Sequence, residues 1–276
     1  MDKLLSVVVP VYKEENTIEP FLQRTEAVFE KEGYNYEIIF CLDPSPDRTC
    51  EVIKRNIERN PRIKLIRFSR RFGQPAATIA GILNCSGEAC VVIDVDLQDP
   101  PELIPQLVER WREGYEVVYA QRISREGETL FKKAVSVFGY WLINRMGEVD
   151  IPVNTGDFRL IDRRVIEELG RLNEHHGFLR GMVAFVGFKQ TAVQYRRDAR
   201  YADKGKYNRF TGSLTIGLNG LICFSSKPLK IMCGIGFGFA VFGALLGLFW
   251  LIQRFLFTSP IEGFSGLAVL IMFFAG

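Results

Sequence analysis

Residues 91–102 read VVIDVDLQDPPE, an apolar run that stops at three carboxylates, Asp94, Asp96 and Asp99. Asp94 and Asp96 are two apart, so their side chains project alike if a strand continues through them and converge if the chain turns. Two carboxylates that close repel each other unless a cation sits between them. Oxygen-only donors suit Mg²⁺ or Mn²⁺, ions whose coordination is usually completed by substrate phosphates and water. The alternative for this pair is a solvated acidic turn. Asp99, which precedes PPELI, reads as the N-cap of a helix starting near Pro101.

A pair of this kind needs a rigid platform, and the sequence supplies one. LLSVVVPVY, YEIIFCLD, IKLIRFS and ACVVIDVD are short, almost continuously apolar and rich in β-branched residues, as strands buried on both faces are. Helical patterns lie between them, at residues 15–31, 48–58 and 74–83. This alternation predicts an α/β fold with a mostly parallel, doubly wound sheet, in which ligands bind beyond the carboxyl ends of the strands. The acidic cluster sits at such an end. Neither a GxGxxG fingerprint nor a P-loop follows the first strand. If a nucleotide binds here, a metal replaces the glycine cradle in neutralising its phosphates.

The ordered series VVVPVYKEE, CLDPSPDRT, RFSRRFGQPAATIAGILNCSGEACVVIDVDLQDPPE, YEVVYAQRISREGE and NTGDFRLIDRRV resembles the family 2 glycosyltransferases. Their fold is the Rossmann-like glycosyltransferase A type. The resemblance runs from about residue 4 to residue 210 and is strongest to the polyprenyl-phosphate branch, which includes dolichyl-phosphate mannose synthases and bacterial undecaprenyl-phosphate glucosyltransferases. It implies that Pro10, Tyr12 and Glu14 hold the base and ribose of a nucleotide sugar and that Asp43 accepts from the base. Gly73 and Gln74 would open the loop lining the base pocket. Asp94 would lie near ribose and metal, Asp96 on the metal, and Gln98 beside them. The chain departs from the family's Asp-Asp-Gly-Ser run, reading Leu42, Asp43, Pro44, Ser45. By the same resemblance Asp157 faces the anomeric carbon or the attacking oxygen, as general base or as a group that orients the acceptor.

The implied reaction moves a single sugar, most simply glucose from UDP-glucose, to a polyprenyl phosphate, with inversion. A phosphomonoester with a second pKa near 6 is largely a dianion at neutral pH and needs cations to dock it more than a base to activate it. Arg122, Arg125, Lys132 and Lys133 form one basic group suited to that task, and Arg196, Arg200, Lys206 and Tyr207 another, the latter resembling the family's mobile loop. Mannose or amino-sugar donors are alternatives. A processive polysaccharide synthase is a rival, but QYRRD at 194 lacks the tryptophan of the QxxRW signature. A membrane-anchored nucleotide-sugar sensor or scaffold without turnover is the non-enzymatic one.

The net charge of +3 is too small for a nucleic-acid binder. Six cysteines without zinc spacing read as free thiols in a reducing compartment. The opening MDKLLSVVVPVY is strand-like and too short for a signal-peptide core. Residues 231–253 carry no charge and would span about 35 Å as a helix, enough for a bilayer core. Arg209, Lys227 and Lys230 precede this run, so the positive-inside rule places the large domain in the cytoplasm. The expected organisation is a glycosyltransferase domain at 1–208, an amphipathic interfacial helix at 209–228, and a transmembrane region at 229–276 whose second span, about 263–276, is cut short. Residues 130–146 are a further amphipathic candidate, for the inner-membrane surface or for contact between subunits of a homo-oligomer.

Overall fold

A computed structural model describes residues 3–123, 155–172, 179–196 and 227–256. The chain divides into two compact units, one formed by the residues up to Cys223 apart from 145–148, the other by those four and the residues from Phe224 onward. In the first unit, β1 (Leu4–Val11), α1 (Ile18–Glu32), β2 (Asn35–Leu42), α2 (Thr49–Arg59), β3 (Ile63–Arg67), α3 (Gln74–Leu83) and β4 (Ala89–Val92) realise the expected alternation. A 3₁₀ turn (Pro101–Leu103) leads into α4 (Ile104–Arg112) and β5 (Val117–Arg122). Then come β6 (Thr155–Asp162), α5 (Arg163–Arg171), α6 (Leu179–Phe185) and β7 (Gln190–Tyr195).

The seven strands form one sheet in the order β3-β2-β1-β4-β6-β5-β7. The strands β1 to β4 are mutually parallel, β6 runs antiparallel to both β4 and β5, and β7 is parallel to β5. Two consequences fix the site. Strand order reverses between β1 and β4, opening the crevice where ligands bind in such sheets. Because β6 is the one reversed strand, its first residues share an edge with the last residues of all the others. Tyr12, Asp43, Asp94, Arg122, Asp157 and Arg196 therefore follow, end or begin strands along one edge.

Strand alternation divides the core. Val7, Val9, Phe40, Ile93, Leu160 and their neighbours pack with Phe21, Phe29, Ile53 and Leu107 into one continuous apolar layer. The opposite face receives α3, where a Cβ on Gly81 would lie 2.3 Å from Val8 Cγ1 and 2.6 Å from Cys41 Sγ. Only glycine permits that approach. Pro10 lies within β1, in register with Cys41. Val8 O accepts from Ile93 N on the β4 side, and Pro10 shares that parity where β4 has already ended, so its missing N–H breaks no ladder bond.

Away from the site, Glu37 is a buried carboxylate on β2. Ser6 Oγ donates to it at 2.5 Å, Ser86 N at 2.6 Å and Lys64 Nζ at 2.5 Å. Burial pushes its carboxyl up, but these donors outweigh burial and hold it below its ordinary value. A depressed folded-state pKa stabilises the fold above the unfolded value of about 4.3 and loses that contribution as pH falls through the folded one. Glu37→Gln is expected to lower the melting temperature at pH 7 and to flatten its decline below about pH 4.5, measurable by thermal melts across pH.

The second unit contains α7 (Lys227–Leu256), in which Leu229–Phe249 has a mean hydropathy of 2.2 and is 6% buried. Among the described residues this is the one helix long and apolar enough to cross a membrane. The expected second span at 263–276, the amphipathic segment at 130–146 and residues 209–226 of the interfacial helix expected at 209–228 lie outside the described residues, while the last two residues of that segment, Lys227 and Pro228, open α7.

Candidate active site

β4 ends at Val92, short of the carboxylates, and the chain turns. Leu97 takes a left-handed φ of 58°, uncommon for a branched residue, and Gln98 N donates to Asp96 Oδ1 at 3.1 Å. Asp94 and Asp96 are partly exposed on this turn, as a pair meant to meet a ligand would be. Asp99 points the other way and is 1% exposed. Its expected role as an N-cap is not realised: the 3₁₀ turn is capped by Pro100 without a side-chain hydrogen bond, and Asp99 Oδ1 instead accepts from the Tyr195 hydroxyl. A buried phenol competes better for a carboxylate than a backbone N–H near solvent.

The segment before α3 joins the two sides of the crevice. Phe72 N and Gly73 N donate to the Asp43 carboxylate at 3.0 and 2.8 Å, while Gln74 Nε2 donates to Asp94 Oδ1 at 2.8 Å. Gly73 has φ 88°, a conformation that favours glycine. Three consecutive residues thus bridge carboxylates that follow β2 and β4, across the end of the β1 strand between them.

The β1–α1 and β2–α2 loops are laced together by residues whose roles spacing alone does not reveal. Lys13 N donates to Ser45 Oγ and Glu14 N to Thr49 Oγ1, each at 2.9 Å. Glu15 N donates to Asp47 Oδ2 at 3.4 Å. Asp47 also accepts from Thr49 Oγ1 at 2.7 Å; burial pushes its carboxyl up, but the Ser45 and Thr49 hydroxyls and the backbone donors hold it below its usual value. Ser45 in the divergent LDPS run is therefore committed to holding the loop. Tyr12 lies under the Arg71 guanidinium, 4.2 Å from the ring centroid.

The far side of the edge is built by β5, β6, α6 and β7. Asp157 Oδ1 accepts from Arg180 Nε at 3.0 Å. Burial pushes the Asp157 carboxyl up, but Arg180, Arg159 and Arg122 hold it below its usual range. It is a poor proton acceptor near neutrality, which favours the orienting role over the general base. Arg159 is 3% exposed and burial brings it down to about 10, so it remains a cation at pH 7. Arg122 Nε donates to Tyr195 at 3.2 Å, and a Cβ on Gly156 would lie 2.9 Å from Arg122 Nη2. Arg122 is thus engaged within the fold. Arg196 is exposed just after β7, whereas Arg125, Lys132, Lys133, Arg200, Lys206 and Tyr207 lie outside the described residues.

The profile of glycosyl transferase family 2 matches residues 6–170. The chain belongs to that family. This family 2 chain is 46% identical over 271 residues to the uncharacterized glycosyltransferase YkcC of Bacillus subtilis, covering 98% of this sequence and 84% of the relative. It is 35% identical over 272 residues to the bactoprenol glucosyl transferase of Shigella phage SfV, with 99% and 88% covered. Glucosyl-3-phosphoglycerate synthase of Mycobacterium tuberculosis, solved with Mn²⁺, UDP and phosphoglyceric acid, shares the fold at a TM-score of 0.58 and 19% identity, over 80% of this chain and 79% of that one. The glycosyltransferase A-type fold expected from the sequence is the observed one, and the chain is a glycosyltransferase enzyme.

Proposed function

We propose that this enzyme transfers one glucose from UDP-glucose to a polyprenyl phosphate at the cytoplasmic face of the inner membrane, inverting the anomeric centre and using Mg²⁺ or Mn²⁺. The observation that carries the reading is the bridge from Asp43 through Phe72, Gly73 and Gln74 to Asp94, which links the residues that follow β2 and β4 beside the Asp94–Asp96 turn. The name of the phage relative supports bactoprenol and glucose as first choices. The apolar α7 supports membrane attachment.

The donor set fits a divalent ion. Among the described residues no three His, Cys, Asp or Glu side chains gather closely enough to hold a metal alone, so Asp94 and Asp96 suit an ion that completes its shell with diphosphate oxygens and water. Such an ion supplies Lewis-acid stabilisation of the charge growing on the leaving diphosphate. The residues of the chain do the rest. Asp43 fixes the Phe72–Gly73 backbone that lines the base pocket, and Gln74 orients Asp94. Asp157, held ionised by Arg180, aligns the acceptor, whose phosphate already carries the nucleophilic charge. Lys132 and Lys133, with Arg125, Arg196, Arg200, Lys206 and Tyr207, are the proposed phosphate ligands.

The test is a panel of UDP and GDP sugars offered with undecaprenyl phosphate and Mn²⁺. Labelled lipid is expected from UDP-glucose; no lipid product from any donor would overturn the reading. Replacing Lys132 and Lys133 together by alanine is expected to raise the acceptor KM by about ten-fold and the donor KM by less than two-fold, ten-fold being about 1.4 kcal/mol for the two solvent-screened charge contacts together. An unchanged acceptor KM would remove them from the site.

A further inference from the structure

At the edge of the sheet opposite the candidate site, two thiols and a guanidinium meet on the face that receives α3. Ser6 and Cys90 are in register across β1 and β4, and Ser6 shares the parity of Val8, which α3 covers. The chain between Cys85 and Cys90 crosses closely over Ser6. Gly87 N donates to Ser6 Oγ at 2.8 Å and Ser86 N to Glu37 Oε1 at 2.6 Å, and a Cβ on Gly87 would lie 2.5 Å from Ser6 Oγ. This crossing brings the Cys85 sulfur onto Cys90, whose thiol donates to it. Arg163, the first residue of α5, clamps the crossing. Its Nε donates to Gly87 O and its Nη2 to Cys85 O, each at 2.9 Å, and Nη2 also reaches Cys85 Sγ at 3.6 Å.

The two thiols are unequal. The Cys90 thiol and the Arg163 guanidinium hold Cys85 below its ordinary value against burial, whereas burial and the Cys85 sulfur push Cys90 well above its own. Cys41 and Glu37 on β2, the latter paired with Lys64, are the other titratable groups around the cluster. Cys85 is 6% exposed between exposed Asn84 and Ser86, so a small oxidant can reach it, while Cys90 is fully buried behind it. We propose that Cys85 and Cys90 form a reversible oxidation site, in which Cys85 attacks a hydroperoxide and Cys90 resolves the product to a disulfide. The Cys85 thiolate takes the terminal hydroxyl of the peroxide, the O–O bond breaks, and the departing oxygen leaves as water or alcohol after gaining a proton. Cys90 Sγ then displaces hydroxide from the Cys85 sulfenic acid, and its thiol proton leaves with that hydroxide as water. Two electrons pass from the thiols to the peroxide, and a dithiol reductant returns them by exchange. The site does not depend on the proposed transfer reaction.

The test treats the reduced full chain in detergent with hydrogen peroxide at pH 7 and maps its cysteines by peptide mass spectrometry. A disulfide between Cys85 and Cys90, reopened by dithiothreitol, is expected, with Cys85 lost at least about three-fold faster than the more exposed Cys50 because thiolate character outweighs exposure. Cys41, whose thiol burial pushes up to about 12, is expected to stay unmodified. Cys90→Ser is expected to stop at a Cys85 sulfenic acid that dimedone traps, and Cys85→Ser to leave Cys90 unoxidised. The wild-type map needs neither variant to fold. Oxidation that follows exposure, with Cys50 ahead of Cys85, would overturn the proposal. So would an unreacted Cys85, or a wild-type Cys85 sulfenic acid that persists without the disulfide.

Discussion

Asp96→Ala is expected to lower transfer by about 10³-fold or more while leaving the melting temperature within a few degrees of wild type. Lewis-acid stabilisation of a departing diphosphate is worth several kcal/mol, and each 1.36 kcal/mol is about a factor of ten in rate. The fold is expected to tolerate the change because Asp96 is partly exposed and its loss relieves repulsion with Asp94. The check is turnover of UDP-glucose with undecaprenyl phosphate at saturating Mn²⁺, alongside a thermal melt. Near-normal turnover in a folded variant would dismiss Asp96 as a metal ligand.

Asp157→Asn separates two roles for the second carboxylate. Asn keeps the shape and can still accept from Arg180, but it removes the negative charge facing Arg180, Arg159 and Arg122. A misplaced reactant costs about 100-fold, and that is the expected fall in kcat. The pH profile carries the distinction. With its carboxyl held low, Asp157 is ionised throughout pH 6–8 and contributes no limb there. A rising limb near pH 6 belongs to the second ionisation of the acceptor phosphate and is expected in both proteins. If the limb disappears in Asp157→Asn, the residue is a general base; if kcat stays within a few-fold, it has neither role.

Local pattern made the β1–β4 half of the edge legible. The apolar runs located β1 to β4, and the predicted helix at 74–83 coincides with α3. Asp43, Gly73, Gln74, Asp94 and Asp96 gather on adjoining loops because consecutive βα units place their loops at one edge. The strand pattern overran at ACVVIDVD, where β4 stops at Val92 and a left-handed Leu97 forms the turn. No propensity rule anticipates that residue there. The Asp99 error has the same origin: capping is a rule about neighbours in sequence, whereas its partner lies 96 residues away.

The β5–β7 half was less legible because its contacts are long-range. Arg180 and Tyr195 meet Asp157 and Asp99 through β6, a strand inserted antiparallel between β4 and β5 that local hydrophobicity does not order. One signal was available. In TGDFRLID, Arg159 occupies the same strand face as Asp157 within an apolar stretch, and a buried charge there calls for a partner.

The most direct measurement is an anomalous difference map from crystals grown with Mn²⁺ and UDP. A manganese peak in direct contact with an Asp96 carboxylate oxygen and with the diphosphate, close to Asp94, is the expected result. Diphosphate bound in the crevice with manganese elsewhere, or no manganese at the 94–99 turn, would contradict it.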